Sequence, residues 1–255
     1  MPEEVLCLCM KVSQQKWIKA LKNGSAWFSA VGEYIKKAEE TGNDQQGDKY
    51  EGVFAHCRKN SDVYYTSLNQ FGSDLEIIDD GEYCFLRRKS SRKVYVFCMY
   101  GIKNTDLQIQ PDSLYIENNS KKAKFSYFID SKMYSDFLRD GTASADITGY
   151  YCSAGHINEA IEKELNKNGL RWIRKMVKYD IDLDKEFYIE PSGDYPELMH
   201  KRKDLSYQHE SRFLVFDFRN EKTGFGLNYI PLSNNSGEFA FGELYIEGTA
   251  VVCDE

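Results

Sequence analysis

Two short charged segments contain the residues whose types and spacing could support chemistry. The first is Gly47-Asp-Lys-Tyr-Glu-Gly52 in a polar loop, and the second is Gln208-His-Glu-Ser-Arg212 at the start of an apolar run. A basic cluster, Lys201-Arg-Lys203, and Tyr207 precede the second segment. A carboxylate and a guanidinium two positions apart can hold each other ionised, bind a ligand or anchor a loop.

The second segment leads into a predicted strand. If residues 210–218 are extended, the two-residue period of a strand places Glu210, Arg212, Leu214 and Phe216 on one face. Glu210 and Arg212 would then be neighbours at the edge of a packed layer. Charge placed directly before a buried strand needs either partners or a function. The pattern therefore predicts a structural ion pair or a site at this point.

The order of the predicted elements indicates an α+β fold. Strand-like runs interleave irregularly with helical segments, which favours mostly antiparallel sheets with several short helices. Helices are predicted at about 13–23, 31–40, 131–139 and 158–168. Ser13 is expected to cap the first helix, a strand is predicted at 63–68, and Asp79-Asp-Gly81 is typical of a hairpin turn. Because no linker or repeat divides the chain, residues 1–255 are expected to form one domain.

Three other polar features receive structural interpretations. Arg87-Arg-Lys89, with Arg92 and Lys93, is expected to form a solvated basic hairpin or loop, with a phosphate contact as the alternative. His56 is expected to be a strand residue with a local hydrogen bond. The loop at 41–52 contains Asp44 and the acids of the first charged segment, and it is either a solvated connection or a functional loop.

Composition disfavours several classes of protein. The formal net charge of −7 argues against general binding to nucleic acid. No apolar run approaches the roughly 20 residues needed to cross a bilayer, so no membrane association is expected. The N-terminal residues do not resemble a signal peptide, and a cytoplasmic location is expected. The seven cysteines, an odd number in strand-like runs, favour reduced and buried thiols.

Standard catalytic motifs are absent from the sequence. It contains no GxGxxG, no phosphate-binding GxxxxGK[ST] loop, no HExxH and no GxSxG. The four histidines share no metal-ligand spacing, and Cys7-Leu-Cys9 lacks both the spacing and the second pair of a zinc site. Zinc enzymes and serine hydrolases are therefore disfavoured, and no metal ligand set of this kind is predicted.

Several short motifs occur in a distinctive order. They are Leu21-x-x-Gly24, Trp27-Phe28-Ser29, the segment 47–52 ending in Glu51-Gly52, Cys98 in a strand, Val177-x-Tyr179, and Lys201 followed by Tyr207-x-x-Glu210-x-Arg212. This order, which spans most of the chain, resembles a broad bacterial family of unknown function, the DUF2971-like proteins. Members of that family resemble genes of phages, prophages and host-defence loci. The resemblance implies a role in phage–host conflict and no established chemistry.

The pair Gln208-x-Glu210 is also similar to the Gln/Glu-x-Glu element of ADP-ribosyltransferases. That similarity implies NAD as cofactor, with Glu210 as the acid that hydrogen-bonds the nicotinamide ribose and stabilises an oxocarbenium-like transition state. It implies that Gln208 helps to select the acceptor. The chain departs from the pattern in its first strand, which has no Arg or His to hold NAD. Thr142-Ala-Ser144 is a poor substitute for the usual Ser-Thr-Ser segment.

Three functions stay open. The first is a non-enzymatic binder of a protein or small-molecule partner, in which acidic loops at 39–51 and 180–190 contact a basic protein and Glu210–Arg212 is only structural. The second is the NAD-dependent transferase, and the third is a nuclease that holds Mg²⁺ with Asp48, Glu51 and Glu210. The candidate catalytic residues are Glu210, Gln208 and Arg212, and the candidate ligand-binding residues are Tyr207, Lys201, Glu51 and Asp48.

Overall fold

The computed structural model describes residues 5–43, 47–139, 146–217, 223–229, 236–243 and 245–251. Its helices are α1 (Gln15–Lys22), α2 (Val31–Thr41), α3 (Asp62–Phe71), α4 (Lys132–Arg139) and α5 (Ala154–Lys167). Its strands are β1 (Leu6–Gln14), β2 (Ser25–Ala30), β3 (Val53–Arg58), β4 (Leu75–Asp80), β5 (Tyr83–Arg88), β6 (Tyr95–Lys103), β7 (Gln108–Ile109), β8 (Tyr115–Glu117), β9 (Ser120–Phe128), β10 (Ile147–Ser153), β11 (Arg171–Met176), β12 (Lys178–Ile181), β13 (Phe187–Tyr188), β14 (His200–Arg202), β15 (Glu210–Phe216), β16 (Gly224–Asn228), β17 (Ser236–Ala240) and β18 (Tyr245–Val251).

The fold is α+β, as the sequence predicts. Short helices accompany several sheets whose strands pair mostly antiparallel, and β12 with β14 is a parallel pair. Within the described ranges, no helix is long and apolar enough to cross a membrane. The chain divides into two compact units. Whether they fold as the single domain that the sequence predicts stays a prediction.

Unit 1 consists of the described residues within Met1–Ala26, Met99–Glu164 and Leu227–Glu255. Its first sheet has the antiparallel order β17-β10-β1, with residues 99–103 of β6 beside β1. Its second sheet has the order β18-β9-β7, and β8 also pairs with β9. Alternation along β9 turns Ala123 and Phe125 into the core of this unit, where both are buried.

Unit 2 consists of the described residues within Trp27–Cys98 and Leu165–Gly226. One sheet has the order β11-β15-β6, and α2 packs on it through apolar side chains of α2, β6 and β15. A second sheet has the order β13-β3-β5-β4, and α3 packs on it. The loop from α2 to β3 and the segment that leads from β14 into β15 bring the two charged segments of the sequence into this unit.

The predicted strand at 63–68 is wrong, because the chain forms α3 there. Ser61 caps the helix by accepting a hydrogen bond from the backbone N–H of Tyr64 at 3.3 Å. Val63 and Leu68 pack against the buried core of the β3–β5 sheet. The β-branched and aromatic residues of this stretch favour a strand locally, but the cap and the apolar helix face outweigh that preference.

The predicted cap at Ser13 is also wrong. Strand β1 continues through Gln14, so Ser13 pairs with Thr148 of β10. The first helix starts after Gln14 without a side-chain cap. The prediction of buried, reduced thiols is confirmed for Cys9, Cys57, Cys84 and Cys152, whereas Cys7 and Cys98 are only partly buried; none of these six described cysteines forms a disulfide bond. Cys253 lies outside the described residues.

Candidate functional site

Most of the predicted site residues converge in unit 2. We call this group the charged cluster, and its members are Asp48, Glu51, Lys201, Arg202, Gln208, Glu210 and Arg212. Asp48 and Glu51 come from the loop between α2 and β3, and the others come from β14, β15 and the short helical turn between them. All except Arg202 and Glu210 are less than one-tenth exposed.

Arg212 is the centre of the charged cluster and is 2% exposed. Its Nη1 donates to Oε1 of Glu51 at 2.6 Å and to the carbonyl oxygen of Leu198 at 2.5 Å. Its Nη2 donates to Oε2 of Glu210 at 2.8 Å. Strand geometry places Glu210 and Arg212 on the same face of β15, as predicted, and there they form an ion pair. Glu51 is a second, unpredicted carboxylate on the same guanidinium.

Lys201 supplies the second buried cation. Its Nζ lies 3.2 Å from Oε2 of Glu210 and 3.9 Å from Oε2 of Glu51. The same ammonium donates to Oε1 of Gln208 at 3.1 Å. One oxygen of Glu210 thus lies between two cations, and the side-chain amide of Gln208 is turned into the protein interior.

Local backbone structure sets the direction of these side chains. Lys201 lies in β14 beside Tyr179 of β12, in the parallel pair. A short helical turn, Lys203–Gln208, follows, and His209 then adopts a left-handed backbone conformation with φ 42°. This reversal starts β15 so that Glu210 faces Lys201. The backbone N–H of Glu210 donates to the hydroxyl of Tyr179 at 2.9 Å.

The loop that carries Asp48 and Glu51 is held from a different side by Arg87. This guanidinium is 1% exposed and donates to the carbonyl oxygens of Lys49 at 2.9 Å and Glu51 at 3.2 Å. It also forms a bidentate pair with Glu76. The loop is therefore no solvated connection at these positions, and both of its acids face inward. Asp44 lies outside the described residues.

The prediction of a solvated basic loop at 87–89 is wrong for the two arginines. Arg87 belongs to the pair just described, and Arg88 donates to Oε1 of Glu197 at 2.8 Å from Nε and 2.5 Å from Nη2. Glu197 is fully buried, and burial raises its pKa although Arg88 opposes the shift. His56 lies in β3, as predicted, but its hydrogen bonds are not local: its ring nitrogens contact Oδ2 of Asp80 at 3.2 Å and the carbonyl oxygen of Lys185 at 3.0 Å.

Burial and neighbouring charges shift the ionisation of the charged cluster. Burial raises the pKa of Asp48 to about 6, with Glu51 adding to the shift and Arg202 opposing it from 3.7 Å. Burial alone would lower the pKa of Lys201, but the Glu210 and Glu51 carboxylates raise it above its usual value. The same two carboxylates raise the pKa of Arg212 well above its usual value, against the effect of burial. Both cations stay charged.

Some predicted residues lie at the margin of the charged cluster or outside the described residues. Tyr207 is partly exposed and precedes Gln208 in the chain. Thr142-Ala-Ser144 lies outside the described residues.

The sequence alone suggested no role for Tyr179 or Arg202, although Tyr179 lies in the Val177-x-Tyr179 motif and Arg202 lies in the basic cluster Lys201-Arg-Lys203. It also missed Tyr34, a partly buried α2 residue whose pKa burial raises and which interacts electrostatically with Glu210 and Arg212.

The carboxylates of the charged cluster do not form a metal-binding arrangement. Among the described residues, no group of three or more His, Cys, Asp or Glu side chains could hold a metal ion. The geometry gives the physical reason: Glu51 and Glu210 point their oxygens at the cations of Arg212 and Lys201, and Asp48 faces Arg202.

In comparisons with known proteins, no family model, no curated protein and no solved structure matches this chain. The resemblance to a bacterial family therefore stays a prediction.

Proposed function

We propose that this protein is a non-enzymatic binding protein, and that the charged cluster fixes the conformation of unit 2 rather than acting on a substrate. The observation that carries the proposal is that the charged groups of the cluster are paired with one another. Glu210, the best candidate for a catalytic acid, has one carboxylate oxygen 2.8 Å from Nη2 of Arg212 and 3.2 Å from Nζ of Lys201.

A transferase would use Glu210 differently. It would present a negatively charged carboxylate to a ribose hydroxyl and to a carbon that becomes positive in the transition state. Here the charge of Glu210 is balanced by two nearby cations, so little of it is left to stabilise a new positive charge. Gln208, which would face the acceptor, is 4% exposed, and its amide oxygen accepts a hydrogen bond from Nζ of Lys201 at 3.1 Å.

A structural role accounts for the same contacts directly. Arg212 ties the α2–β3 loop, through Glu51, to the turn before β14, through the carbonyl oxygen of Leu198. Buried ion pairs of this kind are expensive to break from one side, because the remaining charge stays buried without compensation. The charged cluster therefore fixes the positions of two largely buried segments of unit 2, which suits a protein whose binding surface is preformed.

Exposed charge of unit 2 supports a proposal for the kind of protein partner. Asp48 and Glu51 are buried and supply no surface charge, and the exposed Glu39 and Glu40 belong to the end of α2. Residues 180–190 contain five carboxylates and one lysine, and Tyr188 among them is 49% exposed. We propose a basic protein as partner for this segment. The role in phage–host conflict that the family resemblance implies stays a prediction.

The proposal is tested by ligand-dependent thermal stability and by assay of NAD cleavage. A ligand that binds only the folded protein raises Tm. We expect neither NAD nor Mg²⁺ to raise the Tm of the purified protein, and we expect no release of nicotinamide. Glu210→Gln should lower Tm, whereas Glu40→Gln, a change of the same type on an exposed part of α2, should leave it unchanged. A rise in Tm with NAD, with nicotinamide release that Glu210→Gln abolishes while Tm is kept, would overturn the proposal.

A further inference from the structure

The outer face of the β7–β8–β9–β18 sheet in unit 1 carries several exposed aromatic side chains. Tyr115 is 43% exposed, Phe128 is 50% exposed and Tyr245 is 60% exposed. Large apolar side chains that gather on one exposed surface mark interaction sites more often than isolated ones do.

Strand register places these aromatic residues on one face. Phe128 pairs directly with Tyr245, and their rings meet edge to face with centroids 5.4 Å apart. Tyr115 pairs with Lys122, further along the same strand. Lys122 and Phe128 are six residues apart on β9, so at a rise of about 3.4 Å per residue the two aromatic positions are about 20 Å apart.

An open surface depression of about 700 Å³ is lined by residues 108–113 and by two residues of β9. Two of its lining residues, Lys124 and Ser126, lie between Lys122 and Phe128 on the outward side of β9. Its polar lining consists of Gln108, Gln110, Asp112, Ser113, Lys124 and Ser126. Ile109 and Pro111 complete the lining, so polar side chains dominate it. An open and mostly polar depression suits an extended ligand that lies across it.

The chemistry of the lining selects a ligand class. Glutamine amides and serine hydroxyls both donate and accept hydrogen bonds, which suits hydroxyl groups on the ligand. The ammonium of Lys124 can only donate and the carboxylate of Asp112 can only accept, and their charges balance. A phosphate-rich ligand would need several cations, whereas Glu247 lies on this same face opposite Ser126. A neutral ligand with many hydroxyl groups fits best.

We infer that this face is a binding site for a neutral oligosaccharide. One ring of the Phe128–Tyr245 pair stacks against the C–H face of one sugar ring, and the other ring supports it from the side. Tyr115 stacks against a sugar ring about 20 Å away, and the polar depression binds hydroxyl groups of the ligand. This inference rests on the proposed binding function and names a small-molecule partner for it, at a surface separate from the acidic segment of unit 2.

The test is calorimetric titration of the full chain with maltohexaose, cellohexaose and chitohexaose. We expect at least one of them to bind the native protein. The double variant Phe128→Ala/Tyr245→Ala should bind it at least about tenfold more weakly, since it removes the ring that stacks on the sugar together with the ring that supports it. Trp17→Ala removes an equally exposed aromatic residue of unit 1 and should bind as the native protein does.

Lys124→Ala and Gln108→Ala provide variants at exposed polar positions and should weaken binding while the circular dichroism spectrum is unchanged. Tyr115→Ala should weaken binding of the hexasaccharide but not of the matching trisaccharide, which is too short to reach both aromatic positions. Failure of all three sugars to bind, equal binding by the double variant, or preferred binding of a single-stranded oligonucleotide would overturn the inference. None of these results changes the expected absence of NAD cleavage, so the two proposals fail separately.

Discussion

Glu51 and Arg212 are 161 residues apart in the chain, and their side chains meet at 2.6 Å in the interior of unit 2. The contact joins the α2–β3 loop to the first residues of strand β15. Neither residue is more than one-twentieth exposed. This ion pair is the feature from which the behaviour of the charged cluster follows, and it can be tested by removing one partner or both.

Removal of one partner should destabilise the protein strongly. Arg212→Met leaves Glu51 and Glu210 buried beside one cation, and we expect a loss of about 3–5 kcal/mol in the free energy of unfolding. Glu51→Leu should cost a similar amount. The double variant Glu51→Leu/Arg212→Met should be more stable than either single variant, because it leaves fewer buried charges without a partner. Urea denaturation measures all three, and additive losses would contradict the coupling.

Glu76 should contribute to stability at neutral pH and lose that contribution in acid. Burial works to raise its pKa, but hydrogen bonds from Arg92 and Arg87 lower it to about 2, from an ordinary value of 4.5. A carboxyl with a lowered folded-state pKa stabilises the protein above pH 4.5, and the effect disappears as the pH falls towards 2. The contribution is at most about 3 kcal/mol.

The measurement is the unfolding free energy of the native protein and of Glu76→Gln from pH 7 to pH 2. The difference between them should shrink as the pH falls below 4.5. A difference that stays constant over this range would show that the charge of Glu76 does not stabilise the fold.

Asp48 should act in the opposite direction. Burial and nearby Glu51 raise its pKa from 3.8 to about 6, so the folded protein binds a proton more tightly than the unfolded chain does. Stability from this group is full below about pH 4 and is lost as the pH rises to about 6, up to about 3 kcal/mol. Asp48→Asn retains an oxygen for the N–H of Tyr50, which lies 2.9 Å away.

The variant Asp48→Asn should therefore become more stable relative to the native protein as the pH rises from 4 to 7. Parallel denaturation curves at these two pH values give the comparison. If the native protein gains stability relative to the variant over this range, the carboxylate of Asp48 is stabilised by Arg202 more than it is penalised by burial.

Gly47 should not tolerate a side chain. A Cβ at this position would lie 2.0 Å from the carbonyl oxygen of Tyr34 in α2. Gly47→Ala must move either the helix or the loop that carries Asp48 and Glu51, and a loss of about 1–3 kcal/mol is expected. Gly193→Ala is the matched control, since a Cβ there meets no atom within 4 Å. Equal Tm values for the two variants would show that the loop can shift freely.

The acidic segment at 180–190 should bind a basic peptide. The triple variant Asp184→Asn/Glu186→Gln/Glu190→Gln is expected to bind dodecalysine about tenfold more weakly, because exposed ion pairs contribute a few tenths to 1 kcal/mol each. A control with the same charge change on α2 is Glu33→Gln/Glu39→Gln/Glu40→Gln. Fluorescence anisotropy of labelled peptide provides the measurement. Equal losses in both variants would indicate an effect of net charge alone.

Short-range patterns in the sequence were enough to predict the fold class and the local geometry of the second charged segment. The two-residue period of β15 was enough to place Glu210 and Arg212 together, since neighbours on one face of a strand are fixed by backbone geometry. The predicted hairpin turn at Asp79-Asp-Gly81 also forms, and Gly81 has the positive φ of 67° that such turns need. These features depend on residues close in the chain.

Which charges are buried, and with which partners, depends on packing between segments that are distant in the chain. Arg87 and Arg88 look like a solvated loop in sequence, yet Glu76 and Glu197 pair with them inside unit 2. Glu51 looks like a loop acid and is instead the partner of Arg212. Local propensity and periodicity carry no information on which distant segment packs against a given strand. That packing determines whether a charged side chain meets water or an opposite charge, because an unpaired charge cannot be buried without a large cost.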